Sequence, residues 1–159
     1  MLNEQANVLR FLLSYGESLA ADISAADFCK QPLAGMNHPA WIFGHLAFAT
    51  DRHSTFVGGE QHLAEWADRF GKGSQLSTEL SDYPAKEQLL AEWRGAGERL
   101  ITAVEASPPE VLSAANTHIR PEAFPTLADF LTFTMTAHTS VHLGQLSAWR
   151  RAMGRDPMF

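Results

Sequence analysis

The sequence predicts an all-α protein, a four-helix bundle with long second and third connections. Three observations predict it. Four segments carry apolar residues at helical spacing. No stretch shows the sustained two-residue alternation of a half-buried strand. Proline and glycine breakers fall between the four segments. At 159 residues the chain is expected to fold as one domain over residues 1–159, large enough to bury a core without staples.

The first helix is expected from about Leu2 to Ala21, where Val8, Leu9, Leu12, Leu13 and Leu19 give an amphipathic pattern. Residues 22–36 then read as a connection broken by Pro32 and Gly35. The second helix opens at Asn37-His38-Pro39, with Asn37 or His38 as N-cap and proline in the first turn, and stops at Gly58-Gly59. Its apolar stripe is Trp41, Leu46, Phe48, Ala49 and Phe56, and His45 falls within that stripe. Residues 60–83 form a long connection with one short helix near His62–Trp66. Its Gly71-Lys72-Gly73-Ser74 lacks the spacing of a phosphate loop.

The third helix is expected to begin at Pro84 and to end at Ser107-Pro108-Pro109. Gly95 and Gly97 weaken it by about 1 kcal/mol each relative to alanine, so a bend or a close helix contact is expected there. Residues 110–125 form the third connection. The fourth helix starts at Thr126, with Asp129 completing a capping box, and ends at Gly154. At about 28 residues it would be roughly 42 Å long. It is apolar on more than one face and should be the most buried helix. Arg150 and Arg151 stand in its last turn, where cations favour the helix dipole.

Composition narrows the function classes. A formal net charge of −6 argues against a nucleic-acid-binding surface. No apolar run reaches the roughly 18 residues of a membrane span. The N-terminus lacks the basic patch of a signal peptide, and the lone Cys29 suits a reducing compartment, so a cytoplasmic protein is expected. Cys29 itself reads as a small buried hydrophobe.

The chemistry-bearing residues are histidines. His138 and His142 lie four residues apart, which in a helix puts both rings on one face with Cβ atoms about 6 Å apart. His45 is the natural third ligand, because bundle cores build metal sites from facing helices. Three neutral imidazoles would leave a coordination position open, the arrangement of a catalytic rather than a structural site. Zinc and nickel are the leading candidates, and three imidazoles also suit iron or copper. The competing reading is a set of core histidines satisfied by backbone or hydroxyl partners. Gln145, three residues after His142, is a candidate to hydrogen-bond a ligand imidazole. His38 reads as a cap, His53 as rotated roughly 80° off the His45 face, and His62 and His118 as loop residues. Arg52, seven residues after His45, reads either as an anion-binding cation near the metal or as a snorkelling side chain.

Two motifs together resemble a known family. Asn37-His38-Pro39-Ala40-Trp41-Ile42-Phe43-Gly44-His45-Leu46 is followed by His138-x-x-x-His142-Leu143-Gly144-Gln145-Leu146 and then Arg151-Ala152-Met153-Gly154. Their order and content are similar to the DinB-like superfamily. The resemblance implies an up-down-down-up bundle, a divalent metal on His45, His138 and His142, and often a homodimer. It also implies relatedness to thiol S-transferases that use bacillithiol and to a mycothiol-dependent isomerase.

The leading expectation is therefore a metal-dependent thiol S-transferase acting on a small electrophile, with a low-molecular-weight thiol as co-substrate. Arg52 or Arg120 would hold a carboxylate of that thiol. A metal-dependent hydrolase is the second expectation. It lacks an evident general base, since Asp51 is rotated about 120° from His45. A non-catalytic metal-binding stress or sensor protein is the third.

Overall fold

The computed structural model describes residues 2–158. Helix α1 (Asn3–Ala21) leads to α2 (Pro39–Ser54), which a 3-10 turn extends to Val57 before Gly58 breaks it with a left-handed backbone. The short α3 (Ala67–Phe70) lies in the following connection. Then come α4 (Lys86–Ala106), the one-turn α5 (Pro109–Ser113), α6 (Leu127–Phe133) and α7 (Thr139–Ala152). A π turn over Thr134–His138 joins α6 to α7, so these make one long helix. Among the described residues there is no strand, only an isolated antiparallel bridge between Ala115 and Thr126.

Side-chain contacts set the direction of each helix. Arg10 meets Glu105 at one end of the α1–α4 pair, and Arg94 meets Glu17 towards the other, so these helices are antiparallel. Gly16 faces Leu143, and Arg150 donates to the Leu19 carbonyl, so α1 and α7 run parallel. Asn37 reaches Gln145, while His53 reaches Thr134, so α2 opposes the long C-terminal helix. The bundle is up-down-down-up. Its four long helices converge at Gly16, where a Cβ would lie 3.1 Å from Leu143, 3.2 Å from Trp93 and 3.5 Å from Phe43. Gly97 makes the expected close helix contact, because a Cβ there would come within 2.6 Å of Leu13.

Several termini follow the sequence rules, and one does not. His38 is the α2 N-cap, its Nδ1 accepting from the Trp41 amide at 3.3 Å. The Thr126–Asp129 capping box is formed. Pro84, by contrast, precedes the α4 N-cap Ala85 and is not in the first turn. Arg150 stands in the last turn of α7, as the sequence predicts, and is buried there. Its guanidinium pairs with Asp22 and caps the Leu19 carbonyl, anchoring the C-terminal helix to the end of α1.

The long connections are ordered by buried polar groups. Asp51 accepts from the His62 and Leu63 amides, both at 2.9 Å, and from Arg99 at 2.9 Å, which pins the α2–α3 segment to α2 and α4. Asn116 does the same for the third connection: its amide donates to the Ile119 and Phe124 carbonyls and its oxygen accepts from the His118 amide.

Candidate metal centre

His45 lies mid-way along α2, and its ring is set by three neighbours. Trp41, one turn earlier, stacks on it with centroids 4.7 Å apart and planes 8° apart. The Trp41 indole N–H is itself tied to Ser74 Oγ at 2.9 Å. Phe70, at the end of α3, presents its carbonyl to His45 Nδ1 at 2.7 Å. The third neighbour is the absent side chain of Gly44. A Cβ there would clash with the Phe70 ring, so glycine lets α3 close on α2. Because Nδ1–H donates to a carbonyl, the His45 Nε2 lone pair points at the facing helix.

His142 is held in the same sense. Its Nδ1–H donates to Gln145 Oε1 at 3.1 Å, and that oxygen also accepts from Asn37 Nδ2 at 3.0 Å. Gln145 thus links a histidine of α7 to the residue that precedes the α2 cap. His138 closes the π turn. A π turn closes a wider ring than an α turn, so it rotates the residues after it relative to those before. Thr139 Oγ1 donates to the Thr134 carbonyl at 3.0 Å, satisfying a group affected by that widening. His138 Nε2 lies 3.2 Å from His45 Nε2, and its Nδ1 is buried with no protein partner.

The three histidines therefore converge, with one ligand nitrogen from each lying within 4.8 Å of the others. Two nitrogens bound at 2.0–2.1 Å to one tetrahedral zinc would lie about 3.3 Å apart, close to the observed His45–His138 separation. All three rings are partly exposed. Burial lowers each pKa, His138 to about 3 and His142 to about 4, and the neighbouring imidazoles add to the effect in both. His45 is lowered too, chiefly by burial. Neutral imidazole is the ligating form, so the donor set can hold a divalent metal ion.

His53 lies closer to this centre than helical geometry predicts. It is buried, shares a 3.2 Å hydrogen bond with the Thr134 hydroxyl, and has its ring 6.4 Å from that of His138. Burial first, then the charge of Arg52, pushes its pKa down to about 3. Rings continue outward on that side: Phe133 is 5.8 Å from His138, and His118 stacks on Phe56 at 3.9 Å.

Neither arginine singled out from the sequence meets the triad. Among the described residues, no hydrogen bond or ring contact joins Arg52 or Arg120 to His45, His138 or His142. Arg52 is exposed. Arg120 is exposed on the 114–126 loop, with a left-handed backbone and Glu122 at 3.9 Å. Cys29 is buried, with its thiol pushed up to about 11 by burial. His38 is fully committed, capping α2 through Nδ1 and donating from Nε2 to the Ser77 carbonyl at 2.9 Å.

Among the described residues, no helix is long and apolar enough to cross a membrane. No curated protein matches the chain, so no reaction carries over from a relative. The DinB superfamily model matches residues 13–146, which takes in His45, His138 and His142, all of α2 and α4 and part of α1 and α7, and the chain belongs to that superfamily.

Proposed function

We propose that this protein is a metal-dependent thiol S-transferase. His45, His138 and His142 hold a divalent metal, zinc or nickel, and a low-molecular-weight thiol is the co-substrate. A divalent metal with an open position supplies a lowered pKa to a thiol or water that enters it. The protein keeps three neutral nitrogens aimed at one point, two of them by donating the far N–H to Phe70 and Gln145. In the net reaction the thiol loses its proton, a sulfur–carbon bond forms, and the leaving group departs with its electron pair. Arg52 and Arg120, both exposed, are the proposed partners for a carboxylate of the thiol.

The observation that carries this reading is the composition of the centre. Among the described residues it gathers three imidazoles and no carboxylate, and the chain's own thiol is buried and held protonated. Hydrolysis is less well supported, because Asp51 spends both carboxylate oxygens on Arg99 and the 62–63 backbone. A homodimer and a reducing, cytoplasmic compartment belong to the same proposal.

The test is adduct formation. Metal-loaded protein is incubated with each common cellular thiol and a chromogenic electrophile. Product that depends on both metal and thiol is expected. Absence of metal-dependent adduct across those thiols overturns the assignment. His142→Ala should also reduce bound metal from one equivalent to a small fraction of it, and unchanged metal content would place the metal elsewhere.

A further inference from the structure

The bundle leaves one two-helix face uncovered. Phe11 on α1 is 57% exposed and Val141 on α7 is 59% exposed, and Val8 is exposed beside them. Val8, Phe11 and Tyr15 share one stripe of α1, while Val141, Gly144 and Ala148 share one stripe of α7. The two stripes border a shallow groove of about 410 Å³ lined by Phe11, Tyr15, Gly144, Ala148 and Arg151, among others. Nothing lies within 4 Å of a Cβ placed on Gly144, so the floor of the groove is open. Ser140, Ser147 and Arg151 make part of the groove polar, and the exposed Val8, Phe11 and Val141 beside it form the mixed apolar and polar surface of an interaction site.

The charges on this face identify the occupant. Glu4 lies on the Phe11 stripe near the start of α1, and Arg151 lines the groove near the end of α7. Both are exposed, and among the described residues neither has an ion-pair partner. Because α1 and α7 are parallel, the acid and the base sit at opposite ends of one face. A two-fold axis through the middle of the apolar patch sets each Glu4 against the partner's Arg151, twice per dimer. No other arrangement of charges on the face is needed for self-complementarity. Two helices about 9 Å apart and exposed over about 25 Å give a footprint of roughly 500 Å² per partner, about 1,000 Å² in total, the size of a weak, concentration-dependent dimer.

We infer that a second copy of this chain docks on the α1/α7 face, antiparallel, with Phe11 and Val141 at the centre and Glu4–Arg151 pairs at the two rims. This rests on the homodimer reading above and names its surface. The experiment is sedimentation velocity on the full chain at micromolar concentrations. Wild type should sediment as a dimer, and Phe11→Asp with Val141→Asp should give a monomer of unchanged helical circular dichroism. Glu4→Arg or Arg151→Glu alone should weaken the dimer about tenfold, since each acts twice across the axis, and the two combined should restore it. A monomeric wild type overturns both the homodimer and this face. A wild-type dimer that survives the two aspartates keeps the homodimer and overturns the face. Failure of the combined charge reversal to restore association overturns the antiparallel register.

Discussion

The ring of Phe70 occupies the space that a side chain on Gly44 would take, and the same residue's carbonyl holds His45 Nδ1 at 2.7 Å. Packing and tautomer control are thus one contact. Gly44→Ala must displace the ring, and the carbonyl moves with it. The expected cost is about 1–3 kcal/mol of stability from overpacking, together with roughly tenfold or more weaker metal binding from a loosened imidazole. Thermal unfolding of the metal-free protein and a competitive chelator titration measure the two effects. Weaker folding with unchanged metal affinity would show that the Phe70 carbonyl does not govern His45.

Gln145 tests the same principle from the other helix. Its Oε1 accepts from both His142 and Asn37. Gln145→Leu keeps the volume and removes the acceptor, leaving the His142 ring free to change tautomer. Metal affinity should fall about 10- to 100-fold. Gln145→Glu keeps an acceptor and should retain most of the affinity. Equal losses in the two variants would point to packing rather than to the hydrogen bond.

Acid should destabilise the metal-free protein through its buried histidines. His138 and His53 are held to about 3 and His142 to about 4, against 6.5 when unfolded. The unfolded chain therefore binds more protons than the native one between these values. Their stabilising contribution is fully present above about pH 6.5 and is lost as pH falls towards 4 and then 3. Each histidine contributes a slope of up to about 1.4 kcal/mol per pH unit in that window. Urea unfolding at several pH values measures it, and His53→Gln should flatten the curve without removing the triad. A stability profile that is flat from pH 7 to 4.5 would contradict native histidines held neutral.

Much of the bundle follows from local rules acting in the sequence. Helical periodicity placed the four long helices, and the caps at His38 and Thr126 follow from side chains that reach their own first turn. The convergence of the three histidines is legible because two of them share one helix face and the third sits on an apolar stripe, where an imidazole must find a partner. What the sequence does not display is long-range or register-breaking. The π turn at Thr134–His138 has no residue signature, and it interrupts what reads as one uniform helix. Straight-helix geometry rotates His53 away from His45, yet the facing helix brings Thr134 and His138 to it. The Phe70 carbonyl is a backbone group on a connection, and Gly44 beside His45 is its only trace. The burial of Arg150 is not legible in the sequence, because its partner, Asp22, is 128 residues away.

Asp51 decides between a structural carboxylate and a catalytic one. It is fully buried six residues past His45, about 1.7 helical turns, and it is the acid nearest in sequence to a triad residue. A hydrolase would need such a group to take a proton from water. Its oxygens are instead occupied by Arg99 and by two amides of the α2–α3 segment. Asp51→Asn removes the charge opposite Arg99 and turns one acceptor into a donor facing either the guanidinium or the amides. Breaking one side of a buried pair should cost about 3 kcal/mol of stability. The triad does not touch Asp51, so one equivalent of metal should still bind, and thiol–electrophile adducts should form at near wild-type rate below the lowered unfolding temperature. Unfolding curves, metal content and adduct rate on one preparation separate these outcomes. A folded, metal-loaded Asp51→Asn protein that formed adduct more than tenfold more slowly would place Asp51 in the chemistry of thiol transfer itself, as a proton acceptor or a positioning group.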